Sequence, residues 1–257
     1  MSFFNLNADL AEGYGPWEMG DDAGLLTIIN SANVACGFHA GDYNIMGNVI
    51  QMAELNGVSI GAHPGFYDLH GFGRRAFALP HDEIERLIAY QVGATVAMGR
   101  LYGARVTHVK PHGALNNLAC ADLGLSKAIA RAVSAVDQNL ILLAPALSEL
   151  VTAGRAVGLT VAEEFFADRA YMPDGQLAPR SRPDAMIHDS EKSLAQCLRI
   201  FLDAEVKTLD GSIIKMEAQS VCVHGDGPTA LATAKYVRDG LMKAGLKSCT
   251  LSEMFAS

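Results

Sequence analysis

The stretch SANVACGFHAGDYNIMGNVIQMAELNGVSIGAHP, residues 31–64, decides the fold. It opens on SANVAC (31–36), a short apolar run that reads as a strand. Asp42–Asn56 follows as a helix, with Ile45, Val49, Met52 and Ala53 on one face. GVSIGAHP (57–64) is a second strand, stopped at His63–Pro64. Strand, helix, strand in this order implies a parallel pair joined by a right-handed crossover.

The same alternation runs along the chain. FFNLNADL (3–10) reads as an opening strand, and Pro80–Tyr102 as a long helix with Pro80, Asp82 and Glu83 suiting its first turn. RVTHVKPHG (105–113), NLILLAP (139–145), LTVAEEFFAD (159–168) and QSVCVHGDG (219–227) supply further strands. Helices are expected over Leu118–Val136, Leu147–Gly158, Glu191–Ala204 and Pro228–Ala244. VKTLDGSIIKM (206–216) reads as a hairpin around an Asp-Gly turn, and LKSCTL as a small extra strand. Seven β/α units predict a closed or nearly closed barrel of the TIM type more than an open sheet. The usual open-sheet marker is absent: DLAEGYG follows the first strand where G-x-G-x-x-G would stand. No Ser/Gly tract, Pro tract or charge block reads as a linker, so residues 1–257 are expected to form a single domain.

Half of the 257 residues are hydrophobic, enough for a sizeable core. A net charge of −8 without a basic cluster argues against nucleic acid and anionic membrane surfaces as partners. No apolar run approaches the roughly 18 residues of a membrane span. MSFFNLNADLAEG lacks a basic region and Asp9 interrupts its apolar run, so it does not read as a secretory signal. Five irregularly spaced cysteines read as reduced thiols, and a cytoplasmic location is expected.

Polar residues gather at the C-terminal ends of the expected strands, the ends that meet on one face of a β/α barrel. Strand one ends in Asn7, Asp9 and Glu12, and strand two in Asn33, Cys36, His39 and Asp42. Strand three ends in His63 and Asp68, followed by His70, Arg74 and Arg75; strand four ends in Lys110, His112 and Asn116. Strand six ends in Glu164, Asp168, Arg169 and Tyr171, and strand seven in His224 and Asp226. Each residue also has a purely structural reading. Asn7, Asp9 and Asn33 can hold loop backbone, and Asp42 can cap the following helix. Cys36 reads as a small packed thiol, since nothing in the sequence sets a base beside it. Lys110 ends an apolar strand, where its ammonium requires a carboxylate partner or a substrate. Arg169 and Arg180 suit either surface ion pairs or a bidentate hold on a carboxylate. No P-loop, H-E-x-x-H, C-x-x-C or G-x-S-x-G is present.

Six segments in order carry a resemblance: NADLAEGYG, NVACGFHAGD, GAHPGFYD with GFGRR, VKPHGALNN, EEFFADRAY and VCVHGDG. Together they resemble the LamB/YcsF family, the A subunits of bacterial ATP-dependent 5-oxoprolinases, from about residue 5 to 250. One departure is Asn116, which stands after HGAL where the family pattern leads one to expect Tyr. The resemblance implies a seven-stranded barrel similar to the polysaccharide deacetylases and related glycoside hydrolases. It implies ATP-dependent opening of 5-oxo-L-proline to L-glutamate, with ATP as co-substrate and the B and C subunits as partners. Homo-oligomerisation is left open.

On this basis Asp9, His39, Lys110 and His112 are the expected catalytic residues. Asn7, Glu12, Asn33, His63, Arg169, His224 and Asp226 are expected to bind substrate. Analogy with the deacetylase barrels adds a candidate divalent metal on Asp9, His39 and His112, with His63 as an alternative ligand. Two other functions compete: a stand-alone metal-dependent deacetylase or carbohydrate hydrolase, and a non-catalytic lactam-binding subunit.

Overall fold

Alternation in the first strand organises the molecule. Phe4, Leu6, Ala8 and Leu10 are fully buried in the main apolar core, while Asn5, Asn7 and Asp9 lie on the other face. In the computed structural model, which describes residues 3–223 and 230–256, this is β1 (Phe3–Leu10). Then come α1 (Asp22–Leu26), β2 (Ser31–Ala35), α2 (Tyr43–Leu55), β3 (Ser59–His63), α3 (His81–Leu101) and β4 (Val106–Val109). They are followed by α4 (Gly113–Ala121), α5 (Leu123–Val136), β5 (Ile141–Pro145), α6 (Glu149–Ala156), β6 (Val161–Phe166) and α7 (Ser190–Asp203). The described chain ends with β7 (Glu205–Lys207), β8 (Ile213–Lys215), β9 (Ser220–Cys222), α8 (Ala230–Lys243), β10 (Lys247–Ser248) and α9 (Leu251–Met254).

Strands β1, β2, β3, β4, β5, β6 and β9 pair in that order, all parallel, and β9 returns to β1. The result is a closed seven-stranded barrel, as expected. The extra strand β10 pairs with the start of β1, and β7–β8 forms the expected antiparallel hairpin with Gly211 at φ 90°. No helix among the described residues is long and apolar enough to cross a membrane.

Two expectations are corrected. Leu118–Val136 is not one helix. The chain enters α4 immediately after His112, stops at Asp122 (φ −120°, ψ 103°), and restarts because the Asp122 carboxylate accepts the Leu125 amide at 3.0 Å. The elements α1 and α9 were missed, since five and four residues are too short to show a helical period. Near α9, Leu251 and Phe255 pack with Ile141, Leu143 and Ala162 in a cluster separate from the main core.

The rest of the barrel interior is polar. Asn5, Ser31, Ser59 and Ser220 form one hydrogen-bonded layer: Asn5 Nδ2 donates to Ser31 Oγ at 2.9 Å, Ser31 and Ser59 hydroxyls meet at 2.7 Å, and Ser220 Oγ donates to Asn5 Oδ1 at 2.7 Å. Above it, Asn33 Oδ1 accepts from His108 Nε2 at 3.0 Å. Burial, and then the Lys110 charge, push the His108 pKa down to about 3, so the ring is neutral. Register explains how it fits: Gly61 lies opposite His108, and a Cβ on Gly61 would overlap the imidazole. Gly61→Ala is therefore expected to destabilise the barrel by about 2–3 kcal/mol through overpacking. The urea midpoint measures this, and an unchanged midpoint would contradict it.

Candidate functional site

The site begins with a buried lysine. Lys110 follows β4 and is 2% exposed. Its ammonium donates to Asp9 Oδ1 at 2.9 Å, Cys222 Sγ at 3.1 Å and Asn7 Oδ1 at 3.3 Å, and lies 3.4 Å from Glu164 Oε2. It also sits 5.2 Å above the Phe166 ring. Burial opposes the charge, but Asp9 and then its other neighbours outweigh burial and hold the pKa well above that of an ordinary lysine. The two carboxylates supply the partner that the sequence required of Lys110. Asp9 Oδ1 also accepts from Asn33 Nδ2 at 2.9 Å, and Asp9 Oδ2 lies 3.3 Å from His63 Nε2.

Above this pair, Glu12, His39, His63 and His112 bring four donor atoms within 4.8 Å of one another. The outer hydrogen bonds fix which ring nitrogens face inward. His63 Nδ1 donates to the Lys110 carbonyl at 2.7 Å, and His112 Nε2 donates to the Phe72 carbonyl at 2.9 Å. With each ring donating outward through one nitrogen, His63 Nε2 and His112 Nδ1 face inward, 3.0 Å apart. His39 Nε2 lies 3.2 Å and His112 Nδ1 3.6 Å from Glu12 Oε1. Burial first, and neighbouring imidazoles second, push His112 down to about 3 and His39 well below the usual histidine range. Inward ring nitrogens, a carboxylate and outer carbonyl partners together fit a divalent cation.

Glu12 reaches this group through a turn. Ala11 adopts φ 61°, and its amide donates to Asp22 Oδ2 at 3.0 Å. That left-handed residue separates Asp9 on the strand from Glu12 in the loop.

Both groups open onto one cavity of about 600 Å³. Asp9, Glu12, His63, Lys110, His112 and Glu164 line it on one side, and Arg74, Arg169 and Arg180 also contribute to its wall. Arg169 is only 5% exposed; its Nη2 donates to the Ala178 carbonyl at 2.6 Å, and its Nε has no hydrogen-bond partner among the described residues. Burial, and then Arg180, lower its pKa to about 10, which leaves it charged at neutral pH. Asn116 Oδ1 and Glu164 Oε1, on two other lining residues, are also buried without a hydrogen-bond partner among the described residues.

The structure brings Asp9, Glu12, His63, Lys110, His112 and Arg169 to the cavity. His39 lies behind it, stacked on His112 at 3.6 Å between ring centroids. Asn7 and Asn33 are buried in the barrel and act on Asp9, Lys110 and Glu164. Asp9 stands outside the four-donor group and Glu12 stands in it, so the gathered set differs from Asp9, His39 and His112. His224 and Asp226 lie outside the described residues. His70 is exposed, and the Asp68 carboxylate pairs with Arg75. Asp42 caps α2, accepting the Asn44 and Ile45 amides at 2.8 and 3.0 Å. Cys36 meets Thr95 Oγ1 at 3.3 Å, and burial pushes its thiol up to about 11, which leaves it a packed thiol and not a nucleophile. All five cysteines are free and buried. Glu164 was named at the end of strand six without a role, and His108 and Cys222 were not selected from the sequence. Their signal was the polar residue recurring at every second position of a strand.

Comparison with known proteins agrees with this architecture. The LamB/YcsF family description matches residues 4–256. The chain is 51% identical over 247 residues to the A subunit of 5-oxoprolinase from Rhodopseudomonas palustris (strain BisB18), spanning 96% of this chain and 97% of that protein. The crystal structure of the lactam utilization protein from Thermus thermophilus superposes with a TM-score of 0.92 at 40% identity, over 97% of this chain and all of that one. The catalytic domain of peptidoglycan N-acetylglucosamine deacetylase from Eubacterium rectale shares the fold alone, with a TM-score of 0.50 at 11% identity over 97% and 88% of the two chains. With a match over almost its whole length, the chain belongs to the LamB/YcsF family.

Proposed function

We propose that this chain is the A subunit of an ATP-dependent 5-oxoprolinase, which opens the lactam of 5-oxo-L-proline to L-glutamate together with B and C subunits. The observation that carries this reading is the cavity. Arginines, a buried Lys–carboxylate pair and histidines converge in a chain about half identical to proteins named as the A subunits of 5-oxoprolinases. The lactam utilization protein, similar over the whole fold, supports the same substrate class.

A five-membered lactam is a stable amide, and phosphorylation of its oxygen by ATP makes the ring carbon electrophilic. With no P-loop in the sequence, phosphoryl transfer is assigned to the assembly with its partners. This barrel binds the lactam and directs water at it. Arg169, with Arg180 nearby, holds the substrate carboxylate. Asp9, whose carboxylate lies 3.3 Å from His63 Nε2, accepts the proton of the attacking water. Lys110 stabilises negative charge developing on the oxygen that water brings to the ring carbon. Glu12, His39, His63 and His112 would hold a divalent metal, which when bound supplies Lewis-acid polarisation and a more acidic water.

That four-donor cluster favours a second reading, a metal-dependent hydrolase active alone. Glutamate release from 5-oxoproline, measured with and without ATP and the two partner subunits, separates the readings. The proposed function requires both additions, and turnover by the isolated chain without ATP would support the second. Metal analysis of chelator-free protein is expected to find about one divalent ion per chain, with loss in a His63→Ala/His112→Ala variant. Absence of stoichiometric metal would remove the cation from the account. Lactam binding that survives loss of the histidines, without turnover in any combination, would favour a non-catalytic subunit.

A further inference from the structure

Glu164 is a buried carboxyl whose two oxygens have different surroundings. Oε2 accepts from Asn7 Nδ2 at 3.2 Å and faces the Lys110 ammonium at 3.4 Å, while Oε1 has no hydrogen-bond partner among the described residues. With two donors directed at Oε2, a proton on this carboxyl belongs on Oε1. The residue lines the cavity that also contains Asp9, His63 and Arg169. Its register holds it there, because Glu164 on β6 pairs with Ser220 on β9, and Ser220 Oγ accepts from the same Asn7 amide at 2.8 Å.

A lactam nitrogen cannot leave as an anion, so it must gain a proton as the C–N bond breaks. We infer that Glu164 Oε1 delivers that proton. The assignment rests on the lactam-opening reading above. Water has added its oxygen to the ring carbon, giving a tetrahedral adduct that carries hydroxyl, ring nitrogen and phosphorylated oxygen. When Glu164 protonates the nitrogen, the C–N bond breaks and its electron pair remains on nitrogen. The hydroxyl oxygen re-forms a carbonyl as it loses its proton to water. The product is an acyl phosphate with a free amine, which a second water hydrolyses to glutamate and phosphate. Glu164 is left as a carboxylate beside Lys110 and regains its proton from solvent. Without that proton the adduct expels phosphate instead, restoring the lactam after ATP has been consumed. Glu164 therefore decides whether ATP hydrolysis is coupled to ring opening. Burial, opposed by Lys110, raises the Glu164 pKa, in keeping with a carboxyl that carries a proton between turnovers.

The test measures ADP and glutamate in the same reaction, using the complex reconstituted with its partner subunits. In Glu164→Gln, glutamate formation is expected to fall about 10²–10³-fold while ADP formation falls much less, so that the ADP-to-glutamate ratio rises at least about tenfold. Glu164→Asp, which keeps an acid set back by one methylene, is expected to give an intermediate ratio. A wild-type pH series needs no variant. The ratio should rise with pH as Glu164 loses its proton among the groups that face it: Lys110, Asp9, Cys222, Cys120 and Tyr171. ADP and glutamate falling together in Glu164→Gln, or a wild-type ratio flat across pH, would overturn the inference and leave the proposed function standing. A wild-type complex that forms no glutamate would overturn both.

Discussion

Asp9→Asn is expected to lower glutamate formation by the reconstituted complex about 10³-fold while the barrel stays folded. The substitution preserves shape and an oxygen for Lys110, which Asp9 contacts at 2.9 Å, so the buried ammonium keeps Glu164 and a neutral acceptor. It removes the negative charge that lies 3.3 Å from His63 Nε2. An amide at that position offers a donor where the carboxylate accepted, so it cannot take a proton from water. Circular dichroism and the urea midpoint report folding, and the loss should fall on kcat more than on KM. A variant within a few-fold of wild type would remove Asp9 from the chemistry.

Lys110→Met carries the second large effect, this time on both stability and activity. Removing the ammonium leaves the Asp9 carboxylate buried without its counter-charge and Glu164 without a donor, and breaking such a buried pair costs about 3–5 kcal/mol. Methionine fills similar space, so the loss is electrostatic and not a cavity. Urea unfolding measures the change directly, and ring opening should fall with it because the developing oxyanion loses its nearest cation. Near-normal stability would mean that the Asp9 carboxylate is satisfied elsewhere.

Much of this architecture was legible in the sequence because the β/α alternation is strong. Stretches such as 31–64 carry strand, loop and helix signals without conflict. Polar residues at successive strand ends located the site, and Lys110 announced its need for a partner. Other features had no local signal. Ala11 adopts a left-handed φ that alanine disfavours, so nothing in ADLAEG indicates that Glu12 would join the histidines. The inward row Asn5, Asn7, Asp9 was visible as alternation, but β/α barrels are usually filled with branched apolar residues, and a polar interior was not expected. His108 depends on Gly61 across the strand pair, a relation set by register and invisible within either segment. The break at Asp122 was missed because the apolar period runs through it, although Asp is a favoured N-cap residue.

The central claim is that this cavity opens a lactam only as part of an ATP-consuming assembly. Glutamate release from 5-oxo-L-proline tests it most directly, assayed for the chain alone, with ATP, with the two partner subunits, and with both. Glutamate is expected only in the last mixture, with ADP formed alongside it. Glutamate formed by the isolated chain without ATP, or none formed by the complete mixture, would contradict it.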